Sequence, residues 1–259
     1  ISGSDVQTGE AFVGAGEQWE ATQNILDGAT PFASARSHLD ITDVIDFMLL
    51  WTNGNSESEF RAAGSVPLGI PFKFFLKDGD GFLRNPGHSV DHIGPLNAMQ
   101  KLADEGDPDY GMYLADRIHK HFFNDGALTP AKSIERLQDR VNETQLSILT
   151  ECARWGYRTP ANWQSYQDNL LNNQLPGQTA SMITKFKNAD MYPDIDAPVY
   201  NQHGGTAPGD GPTISVTDTD LKVYYVFGPL DTNPDPYHHA LDPRPHQFRA
   251  NRRYPVLPG

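Results

Sequence analysis

The chain is poor in cysteine and in basic residues. Cys152 is its single cysteine, so no disulfide can form within the chain, and a lone thiol suits a cytosolic or a secreted protein. Only 20 Lys and Arg residues stand against 33 Asp and Glu residues, which gives a formal net charge of −13. Nucleic acids and anionic membrane surfaces are bound through clustered Lys and Arg. The composition therefore argues against both partners.

A long apolar run is also lacking. The longest one, VIDFMLLW at residues 44–51, is far shorter than the roughly 20 residues that a membrane-spanning helix needs. The sequence therefore predicts no membrane insertion. Glycine and proline, in contrast, are abundant, with 23 and 20 residues, and predict many loops and turns.

Most of the chain carries apolar residues at helical spacing. In LDITDVIDFMLLWT they recur every three or four positions, and Asp40 or Thr42 is placed to cap the helix. Helices are also predicted at 94–104, in PDYGMYLADRIHKHFFN, in GQTASMITKFKNADMY and after the Thr-Pro pairs at 129–130 and 159–160, since proline favours the first helical turn. With one buried strand at PFKFFL, the predicted fold class is mainly α (α+β).

Composition divides the chain into four segments. Residues 1–37 are rich in Gly, Ser, Ala and Thr and predict a loop-rich N-terminal segment with one helical patch around GEQWEATQNIL. Residues 38–192 carry the helical domain. Pro, Gly and Asp dominate residues 193–212, which indicates a linker. Residues 213–259 predict a small β segment, in TISVTD and LKVYYVFG, followed by a proline-rich tail.

The strand PFKFFL leads into DGDG at residues 78–81, where Asp78 and Asp80 are each followed by glycine. An EF-hand would need a ligand at the fifth position of its loop and a Glu at the twelfth. The chain has Phe82 and Ser89 there, which excludes that site. Two interpretations stay open. Asp-Gly is a favoured turn dipeptide that needs no ligand, and paired carboxylates at a strand end can hold Mg²⁺ against phosphates.

Five segments, in this order, resemble the C-terminal part of the CotH-type domain, a protein-kinase relative found in spore coats and in large secreted bacterial proteins. Between residues 38 and 205 they read LDITDVIDFMLLWTNGN, FKFFLKDGDGFL, LADRIHKHFFNDGALTP, ECARWGYRTPANW and DAPVYNQHGG. The resemblance implies a helical domain like the C-terminal lobe of a kinase, and an extracellular or cell-surface location. LKVYYVFGPLDTNPDP loosely resembles the chitobiase-type C-terminal β-modules of secreted proteins, which implies the same location.

The resemblance also implies roles for four acidic residues. In this family an Asp-x-Asp element at a strand end binds the metal, and Asp78 and Asp80 match it, so the implied ion is Mg²⁺ or Mn²⁺, or Ca²⁺ in a purely stabilising role. The family's catalytic Asp falls after a helix and a Gly-Asn turn, where this chain offers only Glu57 and Glu59. Glu is one methylene longer than Asp, and misplacing a catalytic group by about an ångström can cost about a hundredfold in rate.

A second departure from the family concerns the nucleotide. In the family a nucleotide-binding lobe with its Lys precedes this region, whereas only 37 residues precede the match here. Either the chain is a fragment or that lobe has been lost, and we expect no ATP binding from the chain as given. We therefore expect a non-catalytic module of an extracellular protein, with a protein partner or self-assembly. The alternative is a Mg²⁺- or Mn²⁺-ATP-dependent protein phosphotransferase with Asp78 and Asp80 as metal ligands.

Overall fold

A computed structural model describes five long stretches of the chain, 16–29, 31–54, 59–77, 98–156 and 158–201. It also describes the short pieces 79, 82–83, 211, 213–218, 220, 223–224 and 249–250. The chain divides into two compact units, Ile1–Tyr192 and Pro193–Gly259. All the helices that the structure describes belong to the first unit, so the fold is mainly α with a small β part, as the sequence predicts.

The described part of the first unit consists of helices and one β-hairpin. In chain order its elements are α1 (Gly16–Leu26), α2 (Pro31–Ala35), α3 (Ile41–Gly54), β1 (Glu59–Ser65), β2 (Ile70–Lys77), α4 (Ala98–Asp104), α5 (Pro108–Phe122), α6 (Pro130–Trp155), α7 (Pro160–Asn169) and α8 (Leu175–Asn188). A single 3₁₀ turn, Val66–Leu68, joins β1 to β2, and a π-helical segment, Leu170–Gln174, joins α7 to α8. No helix within the described residues is both long and apolar enough to cross a membrane.

Helix α3 lies at the centre of the unit and contacts α4, α5, α8 and β2. Its N-terminus is capped by Asp40, whose Oδ1 accepts the Asp43 N–H at 3.1 Å, as the sequence predicts. Apolar residues then cover most of its circumference, and Val44, Ile45 and Leu49 are fully buried. A helix that is apolar on nearly every side must be packed on nearly every side, which explains its central position.

Three other predicted helix starts, at Pro108, Pro130 and Pro160, are confirmed, whereas the start predicted at residue 94 lies outside the described residues. Asp107 caps α5 by accepting the Asp109 and Tyr110 N–H groups at 2.8 and 3.1 Å. Helices α6 and α7 begin at the two Thr-Pro pairs, and the Thr159 hydroxyl accepts the Asn162 N–H at 3.1 Å. Gly156 ends α6 with a φ of 66°, a left-handed conformation that glycine adopts without a steric penalty. These signals are local, which is why sequence alone locates them.

The N-terminal segment is less loop-rich than its composition predicts. Residues 16–35 form α1 and α2, with only a short turn between them, and α1 coincides with the predicted helical patch. Trp19, Leu26 and Phe32 are buried in the core of the first unit. Gly, Ala and Thr dilute the apolar signal here, but three large side chains on α1 and α2 anchor the segment. The described part of residues 1–37 therefore belongs to the helical domain that the sequence placed at 38–192.

Strand β1 is the element that the sequence analysis missed. It pairs antiparallel with β2, from Glu59 opposite Lys77 to Ser65 opposite Ile70, with a bulge between Ala63 and Ser65. Its sequence, EFRAAGS, alternates polar and apolar residues only over its first four positions, too short a run of the signal that identifies half-buried strands. The predicted strand itself is confirmed as β2, in which Phe72 and Phe74 are buried.

Within the described residues, the second unit contains four two-residue strands. They are β3 (Val199–Tyr200), β4 (Ile214–Ser215), β5 (Val223–Tyr224) and β6 (Arg249–Ala250). Strand β3 pairs antiparallel with β4, and β5 with β6. The segment predicted as a linker, 193–212, therefore contributes a strand to this unit, because its Pro- and Gly-rich composition surrounds the β-prone pair Val199–Tyr200.

Candidate binding cleft beside the central helix

The four acidic residues implied by the CotH-type resemblance fall at the margin of the described chain. Glu57, Asp78 and Asp80 lie outside the described residues. Glu59 is the first residue of β1, where its backbone pairs with Lys77. The catalytic and metal-binding roles of these residues stay predictions. Within the described residues no three His, Cys, Asp or Glu side chains converge to form a metal site.

A cleft of about 540 Å³ lies between the first two turns of α3 and the outer edge of β2. Three aspartates spaced by three residues, Asp40, Asp43 and Asp46, line it from the helix side. Residues three apart on a helix are neighbours on one face, so the sequence DITDVID directs these carboxylates toward the same cleft. The three-residue spacing of these aspartates could have identified the site from the sequence. The sequence analysis, however, considered the aspartates only as part of the helix.

Backbone pairing fixes α3 against β2. The Phe72 N–H donates to the His38 carbonyl at 2.7 Å, and the Asp40 N–H donates to the Phe72 carbonyl at 3.0 Å. The residues just before α3 thus form a parallel bridge with β2, between Leu39 and Phe72. One step further along β2, the Phe74 N–H donates to Asp43 Oδ2 at 2.6 Å. At this position the Asp43 side chain accepts the N–H that the carbonyl of a neighbouring strand would accept in a wider sheet.

The same edge of β2 continues beyond Asp43. In an antiparallel pair, successive residues direct their N–H and C=O groups alternately toward the partner strand and away from it. Since Phe72 and Phe74 donate away from β1, Leu76 also directs its N–H and C=O away from β1, along the cleft. Leu50 on α3 and Phe75 and Leu76 on β2 line this part of the cleft and are partly exposed, with Phe75 52% exposed. The cleft therefore combines an extendable strand edge with apolar side chains.

Asp43 is the carboxylate of the three that forms no ion pair with a described residue. Burial raises the pKa of Asp43 above its ordinary value, and repulsion by Asp40 and Asp46 adds to the rise, whereas the Phe74 N–H and the charge of Lys73 oppose it. A desolvated carboxylate with a raised pKa is stabilised in its ionised form by an approaching cation. The position of Asp43 therefore favours a basic ligand group.

The two flanking aspartates already have cationic partners. Lys73 Nζ lies 3.1 Å from Asp40 Oδ2 on the exposed side of the cleft, and hydrogen bonding to Asp40 raises the pKa of Lys73. Exposed pairs of this kind contribute little to stability. Lys73 is therefore available to move when a ligand enters.

Asp46 joins α3 to α5. Arg117 Nε donates to Asp46 Oδ1 at 2.7 Å, Arg117 also donates to Oδ2, and His121 Nε2 lies 3.0 Å from Oδ1. Burial by itself would raise the pKa of Asp46, but the hydrogen bonds from His121 and Arg117 prevail and hold it below its ordinary value. A bidentate Arg–carboxylate pair has a defined geometry, so this group fixes the angle between α3 and α5 and thereby one wall of the cleft.

Two histidines of α5 contact neighbouring parts of the unit. His121 Nε2 lies 3.0 Å from Asp46 Oδ1 of α3, and His119 Nδ1 lies 3.1 Å from the Tyr192 hydroxyl. Trp51 and Phe122 are buried, whereas Trp155 is 63% exposed. No family model, curated protein or solved structure matched the chain when it was compared with each of the three.

Proposed function

We propose that this chain is a non-catalytic interaction module of the CotH-like kind, and that the cleft between α3 and β2 binds an extended, Lys- or Arg-bearing segment of a partner protein. The observation that carries the proposal is the continuation of the β2 edge past Asp43, beside a desolvated carboxylate without an ion-pair partner among the described residues. The extracellular setting of the module rests on the resemblance to the CotH-type domain alone.

Such a segment would bind by adding a strand to the sheet. Main-chain hydrogen bonds to an open strand edge provide affinity in this mode, and pockets for alternate side chains provide specificity. A segment beside β2 would bond to the Leu76 N–H and C=O. Its apolar side chains would contact Leu50 and Phe75, and its basic side chain would reach Asp43. The 540 Å³ of the cleft suits a few residues of such a chain.

The test uses a defined probe, an acetylated and amidated peptide of alternating Val and Lys, with the matched Val and Glu peptide as control. Fluorescence anisotropy of labelled peptides should show binding of the Val–Lys peptide to the chain and at least tenfold weaker binding of the Val–Glu peptide. Asp43→Asn should weaken Val–Lys binding by roughly tenfold, because one charge-assisted hydrogen bond is lost. The Asn amide oxygen still accepts the Phe74 N–H, so the hairpin stays in place.

Two further variants separate strand addition from simple charge attraction. Leu76→Pro removes an N–H that faces the cleft and not β1, so β1 and β2 stay paired while peptide binding is lost. Asp168→Asn, on exposed α7, removes a charge away from the cleft and should leave binding unchanged. Equal binding of both peptides, or equal loss in Asp43→Asn and Asp168→Asn, would contradict the proposal.

A second candidate function is the Mg²⁺- or Mn²⁺-dependent phosphotransferase. The observation in its favour is that β2 ends at Lys77, directly before the Asp78–Asp80 pair that the resemblance assigns to the metal. Calorimetric titration with Mn²⁺-ATP would then release heat that an Asp78→Ala, Asp80→Ala double variant loses. Binding of Ca²⁺ alone, lost in the same variant, would indicate a stabilising ion. If neither ligand binds the unmodified chain, the pair is a turn.

A further inference from the structure

Helix α6 extends beyond the body of the first unit. It is 26 residues long, about 39 Å at 1.5 Å per residue, and it contacts α7, α8 and the π-helical segment between them. Val141 is its single buried residue, and none of its residues from 142 to 155 is buried. Val141 and Leu149 both keep the helical period of apolar residues along α6, but Leu149 is 50% exposed. The outer half of α6 therefore lacks a packing partner on one side.

The exposed side of this outer half carries an apolar stripe. Leu146, Leu149 and Ala153 follow one another at spacings of three and four residues, and all three are exposed, Leu146 by 75%. At 3.6 residues per turn they lie about 80–140° around the helix axis from Val141. They are thus on a different side from the one that packs against the rest of the unit.

The charges of α6 differ from those of the whole chain. The chain has a formal net charge of −13, and two copies of it repel each other over most of their surfaces. Helix α6, by contrast, carries four basic residues, Lys132, Arg136, Arg140 and Arg154, and four acidic ones, Glu135, Asp139, Glu143 and Glu151. Its net charge is zero, so two copies that approach each other along α6 meet no net repulsion from this helix.

We propose that α6 is a self-association surface through which two copies of the chain pair antiparallel along the stripe formed by Leu146, Leu149 and Ala153. A two-fold axis near residue 147 places Leu146 against Leu149 of the partner subunit and repeats that contact on the other side, as an isologous interface requires. The short stripe makes the dimer weak and concentration-dependent, because stable interfaces are larger than two half-helices.

The charges beside the stripe select the antiparallel direction. Asp139, Glu143 and Arg154 share one flank of the helix. Rotation about the two-fold axis sets Arg154 of the partner subunit between Asp139 and Glu143. In a parallel pair, the two-fold axis runs along the helices and puts this flank of the two copies on opposite sides of the interface, so Arg154 would meet neither Asp139 nor Glu143 of the partner subunit. Glu143 can form an ion pair with Arg154 of the partner subunit, because its ion pair with Arg140 (Nη1 to Oε2, 2.6 Å) is an exposed contact within the helix.

Sedimentation velocity of the full chain over a wide concentration range tests this proposal. The unmodified chain should shift from the mass of one chain toward twice that mass as concentration rises. A Leu146→Glu, Leu149→Glu variant should associate at least about tenfold more weakly. Both side chains are exposed, so circular dichroism should be unchanged. Leu68→Glu, at a 76% exposed leucine in the 3₁₀ turn, is the matched control and should associate like the unmodified chain.

Charge reversal tests the direction of pairing independently of the apolar stripe. Arg154→Glu should weaken the dimer, and adding Asp139→Arg and Glu143→Arg to it should restore association, because the opposed charges are then exchanged. A chain that stays monomeric at every concentration overturns the proposal. So does a dimer that persists in the Leu146→Glu, Leu149→Glu variant, because another surface would then be responsible. A dimer lost in the leucine variant but not restored by the charge exchange overturns the antiparallel register.

Discussion

Replacing Trp19 with alanine should lower the free energy of unfolding by about 3–5 kcal/mol, the cost of removing a large aromatic side chain from a packed core. Trp19 is 1% exposed. Its ring meets Phe72 edge-on, with centroids 5.3 Å apart, and Phe74 with centroids 6.0 Å apart. The indole therefore joins the N-terminal helix to the hairpin strand that borders the cleft, and its loss weakens both.

Urea unfolding followed by circular dichroism measures this effect without relying on tryptophan fluorescence. Trp19→Phe should cost much less than Trp19→Ala, since an aromatic ring remains and the buried indole N–H, which has no hydrogen-bond partner among the described residues, is removed. Glu20→Ala, at the next and exposed position of α1, is the control and should change stability little. If Trp19→Ala unfolds at the same urea concentration as Glu20→Ala, α1 does not belong to the cooperative core.

Two glycine-to-alanine substitutions, one inside α5 and one just after it, should change the free energy of unfolding in opposite directions. A Cβ at Gly126 would lie 2.4 and 2.5 Å from the carbonyl oxygens of Lys120 and His121. These are backbone atoms that cannot rotate away, so Gly126→Ala should destabilise the fold by about 1–3 kcal/mol through overpacking. A Cβ at Gly111, inside α5, meets nothing within 4 Å. Gly111→Ala should therefore stabilise the fold by about 0.5–1 kcal/mol.

Chemical unfolding of the two variants side by side compares the same change in two surroundings. Because the two denaturant midpoints should shift in opposite directions, the difference between them exceeds either individual shift. The comparison is therefore insensitive to small errors in each midpoint. Destabilisation at Gly126 follows from the tight turn after α5, where the Leu128 N–H returns to the His121 carbonyl at 2.8 Å. If the midpoints of both variants shift in the same direction, the flexibility of glycine, and not the space available for a Cβ, determines the change in stability.

The sequence was a sound guide to the helices and a poor one to what they pack against. Asp40 and the Thr-Pro pairs at 129–130 and 159–160 were recognisable as helix starts because capping depends on a few neighbouring residues. Strand β1 was missed because EFRAAGS becomes a strand through its partner β2 and not through its own pattern. The exposure of Leu149, which keeps the helical period of α6, has a related reason: helical periodicity identifies a face but does not show whether anything covers it.

The candidate site also has some features that the sequence specifies and others that only the tertiary structure decides. The sequence alone specifies three aspartates at helical spacing at the start of α3, an apolar strand that ends before Asp78, and an acidic composition. Only the tertiary structure places Asp43 against the Phe74 N–H, 31 residues along the chain, and Asp46 against Arg117, 71 residues along. Helix caps and apolar periodicities depend on residues within one or two turns of each other and can therefore be identified from the sequence. Desolvation, ion pairing and an open strand edge depend on which distant surfaces meet, and packing of the whole unit decides that.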